Sequence, residues 1–174
     1  MKIKDIITIA ITLIMISFLT GCTNNVSKEW GDAPDFSLKT LKGENIKLSD
    51  FLGKVIIIDL MGVDCQFCVY MMPVLRYISE NYTDVVIISV DVYQYETEAY
   101  LQSYIDAFKE HLNMDLDWIF GMDSNGSISQ EYIAENEGVP KLVIIDQNGN
   151  IYYTKNGYTP NAQTEISNKL DEII

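Results

Sequence analysis

Val55 to Leu60 is an aliphatic run broken only by Asp59, and it leads through Met61-Gly62-Val63-Asp64 into Cys65-Gln66-Phe67-Cys68. Val85 to Val90 is a second such run, broken only by Ser89, and Lys141 to Asp146 carries a third, Leu-Val-Ile-Ile. Continuous β-branched runs of this length suit strands covered on both faces. Ile151 to Thr154 follows Gln147-Asn148-Gly149-Asn150, a hairpin turn signal. A weaker strand is expected over Asp117 to Met122. Near the start, Ala33 to Leu38 and Ile46 to Leu48 flank a turn at Lys42-Gly43-Glu44-Asn45 and read as a small hairpin.

Helical patterns separate the strands. Cys65 to Asn81 is one. Glu96 to Leu112 is another, with Tyr100, Leu101, Tyr104, Ile105, Phe108 and Leu112 at helical spacing. Ser127 to Glu135 is shorter. Thr159-Pro160 reads as N-cap and first position of the last helix, with Ala162, Ile166, Leu170 and Ile173 on one face. Strand and helix alternate, which implies an α/β layer fold with a mainly parallel sheet, to which the closing hairpin adds antiparallel strands.

The first residues read as an address. Lys2 and Lys4 precede an uncharged run of 14 residues, Ile6 to Leu19. A membrane span needs about 20, so a basic start with a short apolar stretch reads as a secretion signal. It ends in Leu19-Thr20-Gly21-Cys22, which resembles a bacterial lipobox with Cys22 as the lipidated residue; the alternative is an uncleaved anchor. The expected organisation is a signal peptide over 1–21, a polar tether over 22–29 and one domain over 30–174. Either alternative places the domain on the extracytoplasmic face of a membrane.

Composition narrows the partners. With 12 basic and 25 acidic side chains the net charge is −13, the wrong sign for a nucleic-acid surface. Three cysteines cannot build a disulfide framework, and a single histidine excludes a multi-histidine metal site.

The chemistry is expected at Cys65 and Cys68. A C-x-x-C at a helix N-terminus puts the first sulfur beside unpaired N–H groups and the positive end of the helix dipole, which favour a thiolate. The second sulfur lies one turn inside, close enough to resolve a mixed disulfide. The rival readings are a structural zinc site, which lacks four ligands here, and an inert disulfide, whose loop is too short to stabilise much. No cofactor and no metal are expected. Asp64 reads as the N-cap of the helix, where its carboxylate would raise the Cys65 pKa. His111 reads as a structural or surface residue, and Tyr93, Tyr95, Tyr100 and Tyr104 as packing.

These features resemble the thioredoxin superfamily and, within it, the TlpA/ResA-like membrane-anchored thiol–disulfide oxidoreductases. Ala33-Pro34-Asp35-Phe36 resembles the family's opening motif, and Asp50 to Val55 its lead-in to the active-site strand. Pro73 matches the proline that kinks the following helix, and Gly138-Val139-Pro140 resembles the cis-proline loop. The segment from Glu96 to the strand near Trp118 resembles the βα-type insertion of this branch. The resemblance implies a three-layer thioredoxin-like fold with a central mixed sheet and an N-terminal β-hairpin. It implies a redox-active Cys65–Cys68 disulfide and a buried Asp59 that helps move the second cysteine's proton. It further implies a cis Val139–Pro140 bond against Cys65, and substrate contact by Val139, Pro140 and Phe67. The implied partners are disulfide-containing extracytoplasmic proteins, apocytochrome c being the usual target, and a membrane thiol reductant of the DsbD/CcdA kind.

The sequence departs from the family at Asp64, where Trp is usual, at Phe67, where Pro is usual, at Met71, where ResA-type proteins have an acid, and at Lys141, where Thr is usual. A peroxiredoxin would carry Thr and Pro where Gly62 and Ile58 stand, and a copper-delivering SCO-like protein would have C-x-x-x-C. Two other functions keep the fold: a thiol oxidase running the cycle in reverse, and a non-catalytic binding module. Acidic Asp59 and Asp64 argue for a reductant, with Lys141 the one cation that the fold could bring close.

Overall fold

The computed structural model describes residues 31–174. The signal segment, the tether and Cys22 lie outside the described residues.

The aliphatic runs form the middle of a five-stranded sheet. β1 (Ser37–Lys39) and β2 (Asn45–Lys47) make the separate hairpin; β3 (Val55–Met61), β4 (Val85–Asp91), β5 (Ile119–Met122), β6 (Lys141–Ile145) and β7 (Ile151–Asn156) make the sheet, in the order β5-β4-β3-β6-β7. β3 is parallel to β4, and β4 to β5, whereas β6 is antiparallel to both β3 and β7. The sheet is therefore evenly mixed rather than mainly parallel. The reason is the connection from β5 to β6, which passes over β4 and β3 but starts and ends at the same end of the sheet, so that β6 runs beside β3 in the opposite sense.

Alternation along the central strands sorts two apolar layers. Ile57 and Met61 of β3, Ile87 of β4, and Leu142 and Ile144 of β6 face one side. That side is covered by α1 (Gln66–Asn81), α2 (Glu98–Leu112) and α4 (Ala162–Asp171). Ile56, Ile58 and Leu60, with Ile88, Val90, Val143 and Ile145, face the other, covered by α3 (Ser127–Tyr132), Leu38 of the hairpin and Leu48 of a 3-10 turn. Helical periodicity decides which residues of α1 enter: Cys68, Met71, Met72, Leu75 and Ile78 are all completely buried. Burial of a side chain of this size stabilises by about 1.5–3 kcal/mol. The hairpin docks on the β5 edge, where Leu41 N–H donates to Phe120 C=O at 2.9 Å.

Helix starts differ from expectation in instructive ways. α2 begins at Glu98, with the Thr97 hydroxyl accepting from Tyr100 N–H as N-cap, so Glu96 is left in the loop. α4 begins at Ala162, not at Pro160: Ala162 N–H closes a turn on Thr159 C=O at 2.9 Å, and the Thr159 hydroxyl is buried without a partner. α3 stops at Tyr132 rather than Glu135.

Candidate active site

β3 ends at Met61, and the chain turns through Gly62-Val63-Asp64 into α1. Cys65 N–H donates to Gly62 C=O at 3.3 Å and closes that turn. The N-cap of α1 is Cys65, not Asp64: Cys68 N–H donates to the Cys65 sulfur at 3.1 Å. Cys65 and Cys68 form a disulfide, with Cα atoms 5.2 Å apart. Cys65 keeps 8% of its surface exposed, while Cys68 keeps none. A sulfur at the rim and a sulfur sealed behind it, both at a helix N-terminus, are the geometry that thiol–disulfide exchange needs.

Asp64 turns away from the helix start. Its carboxylate accepts from the Tyr100 hydroxyl at 2.7 Å. The residue that sequence reasoning missed is Glu96, whose two carboxylate oxygens accept from Val63 N–H at 2.8 Å and from Asp64 N–H at 2.9 Å. Glu96 is only 6% exposed. Its one signal in the sequence was an acid immediately before the Thr97 cap, and helical spacing had absorbed it into α2.

Beneath α1 lies a strip of polar groups on the helix-covered side of the sheet. Asp59 and Ser89 are register partners in β3 and β4, and both are completely buried. The Trp118 indole N–H donates to Ser89 Oγ at 2.9 Å, and Ser89 donates its own proton to Asp59 Oδ2 at 2.8 Å. Asp59 Oδ1 is buried without a partner. Burial pushes the Asp59 carboxyl up to about 7, against the smaller opposing effect of the Ser89 bond. Tyr104, whose hydroxyl is also buried and unpartnered, is pushed up by burial and then by the Asp59 charge. Asp91, two residues beyond Ser89 on β4 and on the same face, is held well above the usual carboxylate range by burial and by Glu96 beside it.

The Val139–Pro140 peptide bond is cis. Val139 packs against the apolar cluster that contains both cysteines. Lys141 is not available to them. It shares its side of β6 with Val143 and Ile145, on the sheet face opposite the cysteines, and its ammonium is paired with Glu137. A shift of one residue along a strand reverses the face, so the position after Pro140 is adjacent in sequence and remote in side-chain direction. Phe67 is 56% exposed, edge-on to Tyr70, which in turn meets Tyr158. His111 is exposed, as read from the sequence. Tyr95 and Tyr100, read as packing, are surface residues, and Tyr95 is 69% exposed.

The profile of the AhpC/TSA family matches residues 31–154, which takes in the opening segment, the cysteine pair and the cis-proline loop. The chain belongs to the AhpC/TSA family. Its thioredoxin-like architecture and its disulfide pair are those of a thiol–disulfide oxidoreductase. It is similar to the thioredoxin-like protein YneN of Bacillus subtilis, 29% identical over 146 residues that cover 83% of this chain and 79% of that one. It is also similar to the thiol-disulfide oxidoreductase ResA of Bacillus thuringiensis, 27% identical over 139 residues, covering 77% of this chain and 73% of the relative. Among solved structures, a thioredoxin-like protein from Aeropyrum pernix superposes with a TM-score of 0.65 at 26% identity, covering 80% of this chain and 89% of the other.

Proposed function

We propose that this protein is a membrane-tethered, extracytoplasmic reductant of protein disulfides. The observation that carries the direction is the set of acidic side chains at the pair, with no cation among them. Asp59, Asp64, Asp91 and Glu96 surround the turn and the floor of the site, and none of them takes part in an ion pair among the described residues. Lys141 points to the other face. Strong thiol oxidants need a stabilised thiolate in the reduced form, and a surrounding of acids without a cation supplies no such stabilisation.

In the reducing cycle the Cys65 thiolate attacks one sulfur of a substrate disulfide. A Cys65–substrate bond forms, and the first substrate thiolate leaves. Cys68, giving its proton to Asp59, attacks the Cys65 sulfur and expels the second substrate thiolate. Two electrons pass to the substrate, and Cys65–Cys68 is left oxidised. Val139 offers backbone groups to an extended substrate segment, Pro140 has no N–H to compete for them, and Phe67 supplies apolar contact. A membrane thiol donor of the DsbD/CcdA kind regenerates the dithiol. Residues 1–21 direct export, Cys22 carries the lipid, and 22–29 form the tether.

Insulin reduction by residues 30–174 tests the catalysis, and equilibration with glutathione tests the direction. A potential in the DsbA range, about −120 mV, would make the protein an oxidase. A Cys68→Ser variant should retain its partner as a mixed disulfide. A Cys22→Ser variant should lose lipid labelling; labelling that persists would remove the lipoprotein assignment.

A further inference from the structure

The turn Gly62-Val63-Asp64-Cys65 has two successive N–H groups at its centre, those of Val63 and Asp64. Successive N–H groups in a turn form a small anion-binding concavity, and this one stands immediately before the reactive helix start. It is already filled, by a carboxylate from the same chain. Glu96 reaches it from the loop between β4 and α2, bonding both donors across a sequence gap of 33 and 32 residues. Both of its oxygens accept, one from each of the two N–H groups. The loop that carries it is pinned on both sides: Glu96 N–H donates to Tyr93 C=O at 2.9 Å, and Val92 N–H donates to Met61 C=O at 3.0 Å.

We propose that Glu96 is a positioning residue for the redox pair, which clamps the turn presenting Cys65 and denies that turn's N–H groups to the Cys65 thiolate. The sulfur is left with the Cys68 N–H as its bonded donor. The groups that face the clamp are acids or neutral tyrosines: Asp91 from β4, Asp64 on the turn itself, Tyr93 and Tyr95 from the loop, and Tyr100 and Tyr104 from α2. Glu96 therefore makes Cys65 a weaker thiolate and the disulfide harder to reduce. The two effects of Glu96→Gln have the same sign, because the amide lacks the charge and its oxygen can accept from only one of the two N–H groups.

The proposal rests on the reading of Cys65 as the reactive thiol. The experiment measures alkylation rates of Cys65 and Cys68 against pH, mapped by mass, in wild type, Glu96→Gln and Glu98→Gln, with a glutathione equilibrium for each. Glu98 is an exposed acid paired with Lys39, two residues on, and controls for a general loss of charge. Glu96→Gln should lower the pH of half-maximal Cys65 alkylation by about one unit, a tenfold gain in thiolate. It should also shift the glutathione equilibrium at least about threefold toward the dithiol, while Glu98→Gln moves neither. A Glu96→Gln profile that overlays wild type would overturn the clamp. Wild-type Cys68 reacting first would instead overturn the assignment of roles on which it rests. Amide exchange in the wild-type protein gives a check independent of any variant: the Val63 and Asp64 N–H groups should exchange as slowly as those of β3, and rapid exchange of both would refute the proposal even if Glu96→Gln does not fold.

Discussion

The Ser89 hydroxyl links two residues of the buried strip: it accepts the Trp118 indole N–H at 2.9 Å and donates its own proton to Asp59 Oδ2 at 2.8 Å. The other Asp59 oxygen has no partner. A carboxyl held on one side and open on the other, on the strand face that meets Cys68, is placed to take a proton. Replacing Asp59 with Asn should slow resolution of the mixed disulfide by about tenfold or more, with the larger deficit above pH 7, where the native carboxyl is ionised. Stopped-flow reduction of a protein disulfide across pH 6 to 9 measures this; equal rates in both proteins at all pH values would leave Asp59 without a proton-transfer role.

The same group gives the fold a pH dependence. Asp59 titrates at about 7 when folded and at an ordinary 3.8 when unfolded. Between these values the folded state binds the extra proton, so stability is highest below pH 4 on this account and falls as pH rises to 7. Asp91 is shifted in the same direction and adds to the slope. Lowered acids such as Glu165 beside Lys155 act oppositely, but below their ordinary value of 4.5. The urea midpoint should therefore fall between pH 5 and 8, and Asp59→Asn should flatten part of that fall, worth a few kcal/mol at most. A variant with the wild-type slope would contradict the burial argument.

Exposure sets the order of thiol reactivity. In the reduced protein Cys65 should be alkylated at least about tenfold faster than Cys68, since one sits at the rim and the other has no exposed surface. Brief iodoacetamide treatment followed by peptide mass mapping reads this directly. Equal labelling would remove the division into attacking and resolving sulfurs.

Phe67 should matter to substrates and not to the fold. It is exposed and its ring touches Tyr70 edge-on, so Phe67→Ala should change stability by no more than about 0.5 kcal/mol. KM for a protein disulfide should rise several-fold, while reduction of a small aromatic disulfide keeps its rate. A uniform loss on both substrates would mean that Phe67 acts on the cysteines themselves.

Gly62 is required by a close approach. A Cβ there would lie 2.3 Å from the Tyr93 ring, which is itself stacked on Tyr95. Gly62→Ala should destabilise by about 1–3 kcal/mol through overpacking and lower activity by loosening the turn before Cys65. Adding Tyr93→Ala should restore part of the stability. Thermal unfolding of the single and double variants would show it, and purely additive losses would count against the contact.

The sequence by itself determined the redox pair, the layer fold and the strands that form its centre. Those are local properties: a C-x-x-C after a buried run, period-two and helical spacing, and turn residues between them. The buried Asp59 was also visible, as a lone charge in an aliphatic strand. What only the tertiary structure decided were relations between segments distant in the chain. Glu96 looked like the first residue of a helix, and it became the ligand of a turn 33 residues away because the Thr97 cap left it in a loop facing that turn. Asp64 looked like a helix cap, and Cys65 took that position while Tyr100 bound the Asp64 carboxylate. Lys141 was adjacent to the proline loop in sequence, yet strand alternation sent its side chain to the opposite face, to Glu137. Spacing along one strand or helix states which residues share a face; which foreign side chain meets that face depends on how the layers pack.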